Sequence, residues 1–184
     1  MVALLSFLIL AVIAIYIIVP SKVILTGSKI VGCTANGFDS CFHSLEKWKQ
    51  WWPDKNLQTG SDSVFVYNGC TYKLSAIFTD GGTVQAKTNN GLLDMNIRTV
   101  YKNGDSIIAE WKAELKTGNN PFTRFFSYLN TDDLKKNMQT VFDSLCNFAD
   151  KTENIYGFPI KRTTFTEVIL IANRFKRGLP DNSR

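Results

Sequence analysis

The residues that could do acid–base, nucleophilic or metal chemistry are few and scattered in this chain. The single histidine, His43, lies on a segment with helical spacing, where a lone histidine is more often a surface or partly buried residue than a catalytic base. The four cysteines show no C-x-x-C spacing, so we predict neither zinc binding nor a thioredoxin-like redox role, and expect buried reduced thiols. The sequence thus predicts no catalytic residue and no metal site.

Phosphate and nucleic-acid binding are not indicated either. The chain contains no G-x-x-x-x-G-K-[ST] run and no G-x-G-x-x-G run, so a nucleotide cofactor would have no evident phosphate cradle. The formal net charge of +5 is modest, and its lysines and arginines are scattered instead of forming a basic stripe. We therefore expect no cofactor and no nucleic-acid partner, although this charge would suit a domain near anionic lipid.

The chain begins with a strongly apolar segment. Residues 2–19 carry no charge, and one serine and one tyrosine are the only polar residues among them. This is about the length needed to cross a hydrocarbon core of about 30 Å. A cleaved signal peptide is the alternative, but no basic residue precedes the run and no clear small-x-small cleavage site follows it. We predict a retained transmembrane anchor over residues 1–20 in a single-pass cell-membrane protein. Lys22 and Lys29 follow the anchor and favour a cytoplasmic domain.

The segment after the anchor contains a strand and then one or two helices. Residues 22–31 are β-branched and apolar, which predicts a strand. Residues 36–52 have apolar and aromatic residues at helical spacing, which predicts short helices ended by Pro53. Three tryptophans stand close together there: Trp48, Trp51 and Trp52. We predict them as core, with a membrane-interface belt or a ligand platform as alternatives.

Between residues 63 and 116 the hydrophobic pattern changes to period two. Turn dipeptides such as Asn68-Gly69 divide this segment into about five strands, and connections this short join antiparallel neighbours. Together with residues 22–31 they predict a sheet of about six strands. Because apolar and polar residues alternate on both sides of Trp111, one face of this sheet is expected in the core and the other in water.

A long helix is predicted from Thr131 to Lys151, with Thr131 capping its first turn. Its apolar stripe is broad and aromatic, so it needs a large apolar surface, and we expect the sheet to curve around it. A shorter helix begins at Asn120-Pro121 and carries three phenylalanines on one side: Phe122, Phe125 and Phe126. These side chains are expected either to pack in the core or to form a mobile lid.

This order of elements resembles the helix-grip fold of the START-like or SRPBCC superfamily, which includes polyketide cyclase-like proteins and lipid-transfer domains. The closer resemblance is to a membrane-anchored bacterial branch. It is carried by KVILTGSKIV after the anchor, LEKWKQWWP after the first helix and NPFTRFFSYLNTDDLKKNMQTVFDSL in the last third. The resemblance implies an α+β helix-grip domain over residues 21–152. One departure is Cys41-Phe42-His43, where apolar and small residues are expected.

The remaining residues, 153–184, resemble the opening of a second domain. In that branch an effector-binding module like that of gyrase-inhibitor-like proteins commonly follows, and residues 156–174 (YGFPIKRTTFTEVILIANR) look like its first strand. The chain ends far short of the residues such a module needs to bury a core. We expect a truncated effector-binding domain or another use, with residues 163–172 forming a strand that pairs with an exposed edge.

The resemblance also implies a space between the sheet and the long helix, which in this superfamily is often a hydrophobic ligand pocket. Seven residues are predicted to line it: Met95, Ile97, Trp111, Ala113, Met138, Phe142 and Leu145. For each of them close-packed core is the alternative, because any protein interior needs such side chains.

Three functions follow from these observations. The favoured one is a membrane-tethered, non-catalytic module, in a sensory or regulatory role, that binds an apolar small molecule or lipid. The second is a cyclase-like or dehydratase-like enzyme, which needs an ionisable pair in the pocket. Its nearby candidates are Asp94, Arg98, Tyr101 and Glu110. The third is a structural or interaction domain with a filled core. The sequence does not determine the oligomeric state.

Overall fold

The computed structural model describes residues 2–54, 64–78, 80–88 and 91–158, without the side chains of residues 101–103. Within these ranges the chain forms six helices and six strands. In chain order they are α1 (Val2–Ile18), β1 (Lys22–Val31), α2 (Ala35–Ser40), α3 (Leu45–Trp51), β2 (Val64–Tyr67), β3 (Cys70–Phe78), β4 (Gly81–Thr88), β5 (Gly91–Asn103), β6 (Ser106–Lys116), α4 (Pro121–Leu129), α5 (Thr131–Ala149) and α6 (Thr152–Tyr156).

The strands form a single antiparallel sheet in the order β1-β6-β5-β4-β3-β2. The five strands β2 to β6 are therefore a meander, and β1 joins it by pairing with β6. Asn68 and Gly69 have φ values of 45° and 77°, the left-handed conformation that a tight two-residue hairpin turn requires. For the described part of the chain, this confirms the predicted sheet of about six strands.

The long helix α5 covers one face of the sheet. Along β6 the side chains of Ala109, Trp111 and Ala113 are buried, whereas those of Lys112 and Glu114 point to the other face and are exposed. The helix packs against β1. Its buried residues are Thr131, Leu134, Met138, Val141, Phe142, Leu145, Cys146 and Ala149. The α+β, helix-grip-like arrangement expected from the sequence is thus present.

Both ends of α5 differ from the prediction. The helix ends at Ala149, and Lys151 instead precedes the next helix, α6. At the start the capping position is Asn130, which makes no side-chain capping hydrogen bond. The hydroxyl of Thr131 donates to the carbonyl of Ser127, 3.1 Å away, and so links α5 to α4. Thr131 is therefore not the predicted cap.

The phenylalanines of α4 are on the surface. Phe122, Phe125 and Phe126 are all exposed, so of the two alternatives core packing is wrong. The helix itself begins as expected, because the Asn120 side chain accepts a hydrogen bond from the Phe122 amide at 2.9 Å and Pro121 occupies the first turn.

The N-terminal helix α1 is 17 residues long, and none of its residues is buried. Among the residues described, no helix is both long enough and apolar enough to be assigned as a membrane span. The transmembrane helix predicted for residues 1–20 is therefore not found.

The predicted strand of the C-terminal tail lies almost wholly outside the described residues. Residues 152–156 form α6, which is capped by Gly157 in the left-handed conformation with φ 78°. Tyr156, predicted as the start of a strand, is therefore helical. Residues 159–184, which include the expected strand over 163–172, are not described.

Strand β1 separates two ends of the domain. At Lys22 it follows α1, and this end, which also carries α4, is called the α1 end. Beyond Val31 the amide of Gly32 donates to the Asp150 carboxylate at 2.7 Å, near α2 and α6, and this is the α6 end. Ten residues of strand place the two ends roughly 30 Å apart.

Candidate functional site

The seven residues predicted to line a ligand pocket lie together in the core between the sheet and α5. Met95 pairs with Ala113 and Ile97 with Trp111 across β5 and β6, while the other three are on α5. None of the seven is more than 2% exposed. The structure thus brings all of them into one apolar cluster.

Trp111 is held firmly within this cluster. Its indole N–H donates to the side-chain oxygen of Gln139 at 3.1 Å, and the Gln139 amide donates to Asp143 at 3.2 Å. The indole also lies against the backbone of Gly27 in β1, where a Cβ atom would be 2.3 Å from the indole nitrogen. Gly27 is the residue that permits this close approach.

The cavities defined by the described residues lie mostly outside this core cluster. Four of them have volumes of about 890, 490, 210 and 500 Å³. Of the seven predicted residues, only Trp111 borders any of these four, beside Thr26 and Lys112 of the outer face. Whether the seven residues enclose a ligand space therefore stays a prediction.

The cavity of about 890 Å³ is a groove between α3 and the second half of α5. We call it the α3–α5 groove. It is lined by Lys49, Gln50, Trp51, Trp52, Pro53, Asp54, Phe65, Ser144, Asn147, Phe148, Lys151 and Asn154. Most of these residues belong to α3, α5 and the short segments that follow them, so the groove lies toward the α6 end.

Aromatic rings form the floor of the groove. The ring centroids of Trp51 and Trp48 are 4.6 Å apart, and those of Trp52 and Phe65 are 5.0 Å apart. Each indole N–H donates to a backbone carbonyl: Trp48 to Phe42 at 3.4 Å, Trp51 to Cys41 at 3.2 Å and Trp52 to Val66 at 3.0 Å. All three tryptophans are buried, which confirms the prediction of core. The hydrogen bonds fix their rings in orientation.

The rim of the groove is polar and carries two lysines and one acidic residue, Asp54. Lys49 and Lys151 are exposed there, and Lys49 forms an ion pair with Glu46 at 2.9 Å. The Ser144 hydroxyl donates to the Trp51 carbonyl and ties α5 to α3. An aromatic floor below two ammonium groups suits a molecule with an apolar body and an anionic group.

A buried hydroxyl without a partner lies behind the floor. Within the described residues the Tyr72 hydroxyl makes no hydrogen bond. Its ring centroid is 5.3 Å from that of Trp52, in an edge-on contact. Burial, with a smaller contribution from Cys70, raises the pKa of Tyr72 above its ordinary range, so the phenol stays neutral. An unpaired buried hydroxyl costs about 1–3 kcal/mol of stability. The period-two pattern of residues 63–116 predicts one buried face of the sheet but could not show that the Tyr72 hydroxyl lacks a partner.

The residues proposed for an enzymatic pair face away from the core. Arg98 and Glu110 form an ion pair at 3.1 Å, and Asp94 accepts a hydrogen bond from Gln85 at 3.1 Å, all on the face opposite α5. The side chain of Tyr101 lies outside the described part. In that part no group of three histidine, cysteine or acidic residues could hold a metal ion. Of the four candidates, Asp94, Arg98 and Glu110 are thus outside the core.

The one histidine, His43, is exposed on the surface near a buried carboxylate. Asp39 in α2 is 6% exposed, and its Oδ1 atom has no hydrogen-bond partner among the described residues. Burial raises the pKa of Asp39 to about 6, against the opposing effect of His43 and with a small contribution from Asp80. Asp39 therefore changes charge near neutral pH.

Replacing Asp39 by asparagine is expected to make the free energy of unfolding less dependent on pH. The pKa of Asp39 is about 6 in the folded chain against an ordinary value of 3.8, so the folded state holds this proton more tightly. Its stabilising contribution is complete below the ordinary pKa and is lost as the pH rises through about 6. Urea unfolding of the parent and of Asp39→Asn between pH 3.8 and about 6 measures how strongly the free energy of unfolding of each depends on pH. Asp132→Asn, at an exposed position, is the control. Parallel curves for parent and Asp39→Asn would contradict the assignment.

The four cysteines are free and buried, as the sequence predicts. Burial raises the pKa of Cys33 to about 12 and that of Cys41 to about 11, and raises the pKa of Cys146 further. A thiol that stays protonated is a poor nucleophile and a poor metal ligand. These three cysteines therefore act as small apolar core residues.

No family model and no curated protein matches the chain. Solved structures similar to it include the Aha1 dimer from Colwellia psychrerythraea, at 13% identity over 70% of this chain and 96% of that chain, with a TM-score of 0.47. The Zhui aromatase/cyclase from a Streptomyces species is 8% identical over 71% and 94%, with a TM-score of 0.49. A conserved protein from Geobacillus kaustophilus is 9% identical over 71% and 97%, with a TM-score of 0.48.

At these identities and TM-scores the similar structures carry no argument about function. The fold assignment depends instead on the order of the strands and on the position of α5 across one face of the sheet. The chain is an α+β protein with a six-stranded antiparallel sheet and a helix-grip-like arrangement of its described residues.

Proposed function

We propose that this protein is a non-catalytic binding module that is held at a membrane by α1 and takes a small molecule in the α3–α5 groove. The molecule would have an apolar body and an acidic group. The observation that carries this proposal is the groove of about 890 Å³, with aromatic rings beneath it and the ammonium groups of Lys49 and Lys151 at its rim. Ligand sites in proteins typically measure about 300–1,000 Å³ and combine apolar walls with a few polar groups.

The groups around the groove divide into two kinds. Trp51, Trp52 and Phe65 form an aromatic layer directly beneath the groove and are each 2% exposed. At the rim Lys49 and Lys151 supply two positive charges and Asp54 supplies one negative charge. The floor rings are fixed by packing and hydrogen bonds, so little side-chain ordering would accompany binding. The ligand proposed from these groups is an amphipathic acid.

The position of the groove indicates how its ligand would arrive. The groove lies toward the α6 end, and strand β1, roughly 30 Å long, separates that end from the end where α1 begins the domain. If α1 is covered by lipid, the groove opens to the aqueous phase. We therefore propose that the ligand is drawn from solution instead of directly from the bilayer, which suits a sensory or regulatory module.

Membrane attachment through α1 is supported by its surface. Leu4, Phe7 and Ile17 are 72%, 74% and 78% exposed, and other large apolar side chains surround the helix. Burying each of these side chains in an apolar environment would gain about 1.5–3 kcal/mol. We propose that lipid covers them. The free thiols fit a reducing compartment, so we propose that the domain faces the cytoplasm.

A structural or interaction domain with a filled core is the second candidate function. It is favoured by the burial of the seven predicted pocket residues, none of which is more than 2% exposed. In this case the interior between sheet and α5 would have no ligand, and the groove would be a surface feature only.

Titration with decanoate and decanol distinguishes the two candidates. The full chain in lipid nanodiscs is expected to bind decanoate, because the lysines at the rim attract its carboxylate, and to bind decanol more weakly. Tryptophan fluorescence reports binding, since Trp51 and Trp52 line the groove. Empty nanodiscs correct for partition of each probe into the lipid.

Two variants and a control locate the binding. Lys151→Glu should remove the preference for decanoate. Gln50→Phe, at an exposed groove position, should weaken the binding of both probes because the added ring fills part of the groove. Lys135→Glu makes the same charge change on the exposed surface of α5 outside the groove and should leave binding unchanged. A parent that responds to neither probe, or equal responses of Lys151→Glu and Lys135→Glu, would refute the groove as the site.

A further inference from the structure

The short helix α4 buries the polar residue Ser127 and turns its large apolar residues outward. Ser127 is 7% exposed, whereas Phe122, Phe126 and Leu129 are 64%, 59% and 56% exposed. A helix that packs on a domain in water has the opposite arrangement, with its apolar stripe against the core. This exposed set, Phe122, Phe126 and Leu129, is called the α4 apolar face.

Hydrogen bonds fix α4 directly beside the C-terminal end of α1. The Arg124 guanidinium donates to the carbonyl of Val19 through Nε at 2.8 Å and also through a second nitrogen. The Tyr16 hydroxyl donates to the carbonyl of Asn119 at 2.5 Å, and the Tyr16 ring lies 5.2 Å from the guanidinium. No basic residue lies in the last turn of α1, so Arg124 supplies the positive charge that a helix C-terminus favours.

The α4 apolar face is therefore continuous with the apolar surface of α1. Ile17 and Ile18, in the last turn of α1, are exposed next to the Tyr16–Arg124 contact. An exposed apolar area of this extent on a soluble domain marks an interaction surface. Because α1 is apolar around its whole circumference, one partner that covers α1 and α4 together must present a broad apolar phase.

The charges around the junction favour a partner with anionic groups. Lys22 and Lys116 lie directly opposite each other on β1 and β6, where like charges are destabilising. Glu114 pairs with Lys22 at 2.7 Å, and Lys116 is exposed. With Arg124, these residues place net positive charge at the level where α1 meets the domain. A bilayer offers both an apolar interior and anionic headgroups at such a level.

We propose that α4 is a second membrane contact, which lies in the bilayer interface with its apolar face toward the acyl chains. The inference rests on the proposed attachment of α1 to lipid and does not depend on the ligand groove. Helices of this type bury their apolar face about 5–10 Å into the boundary between headgroups and acyl chains. Tyr16 and Arg124 then lie at headgroup level, and the rigid link between α1 and α4 orients the domain on the membrane.

Quenching of tryptophan fluorescence by brominated lipid measures this contact. The four native tryptophans are at most 2% exposed, so lipid bromine should quench the parent little. The full chain carrying Phe126→Trp, reconstituted in phosphatidylcholine vesicles, is expected to lose emission when the acyl chains are brominated near the headgroup. It should lose less when they are brominated near the bilayer centre. Adding anionic phosphatidylglycerol should increase the loss.

The matched control is Tyr156→Trp, which places an aromatic side chain at another exposed position, on α6 at the opposite end of the domain. It should be quenched no more than the parent. If the chain floats with vesicles but Phe126→Trp is not quenched beyond this control, the α4 contact is refuted while the attachment of α1 stands. If the chain does not float with vesicles at all, both are refuted. Protection of Phe126→Trp from lipid together with a concentration-dependent dimer would assign the face to a second copy instead.

Discussion

Replacing Trp48 by alanine is expected to lower the free energy of unfolding by about 3–5 kcal/mol. Trp48 is fully buried, and its ring contacts four others: Phe42, Trp51, Trp52 and Phe65, with centroid distances of 6.3, 4.6, 6.0 and 5.3 Å. Its indole N–H also holds the carbonyl of Phe42 at 3.4 Å, which links α3 to the segment after α2. The substitution would remove the centre of the aromatic cluster and leave a cavity beneath the α3–α5 groove.

Urea unfolding of the full chain in detergent, followed by near-ultraviolet circular dichroism, measures this loss. Leu45→Ala on the same helix is the control, because Leu45 is 42% exposed and its truncation should change stability by no more than about 0.5 kcal/mol. The loss of stability for Trp48→Phe should lie between the losses for Trp48→Ala and Leu45→Ala, because phenylalanine keeps a ring but not the N–H group. Equal effects of Trp48→Ala and Leu45→Ala would show that the cluster does not support the fold.

The regular elements could be predicted from sequence because their signals are local. The alternation around Trp111 predicted that one face of β6 lies in the core. Asn68-Gly69 predicted a hairpin turn, and both residues have the left-handed backbone conformation there. Proline and spacing in residues 36–52 predicted short helices, and α2 and α3 are both found. In each case the deciding interaction lies within a few residues, which is the range that periodicity and turn chemistry describe.

The features that were missed depend on contacts distant in sequence. The α4 phenylalanines have helical spacing typical of core, but the side of α4 that faces the protein is set by Arg124 reaching Val19 and by Thr131 reaching Ser127. The groove likewise lies between α3 and α5, which Ser144 joins across more than ninety residues. The missing partner of the Tyr72 hydroxyl is also a property of the assembled core. No local pattern contains this information.

The distinction between a filled and an open interior depends on volume, which sequence cannot supply. Three large apolar residues would suit either a ligand pocket or a close-packed core: Met95 on β5, and Met138 and Phe142 on α5. The structure shows all three fully buried, and none of them borders the four cavities described. A substitution that adds volume at this point therefore separates the two cases.

Replacing Phe142 by tryptophan is expected to lower the free energy of unfolding by roughly 1–3 kcal/mol, because a larger ring in a packed core forces neighbouring side chains from their preferred rotamers. Phe142 is fully buried on the side of α5 that faces the sheet. Thermal melts of the full chain in nanodiscs measure the change. Phe148→Trp on the same helix is the control, because Phe148 is only half-buried, at the edge of the groove, and can accommodate a larger ring.

The comparison of these two variants also tests where a ligand binds. If Phe142→Trp lowers the melting temperature while Phe148→Trp does not, the interior between sheet and α5 is filled, and the groove is the site left for a ligand. If Phe142→Trp has the same melting temperature as the parent and weakens decanoate binding, a space exists at the seven predicted residues and the ligand lies there. The added ring would then occupy volume that the ligand uses, without displacing packed side chains.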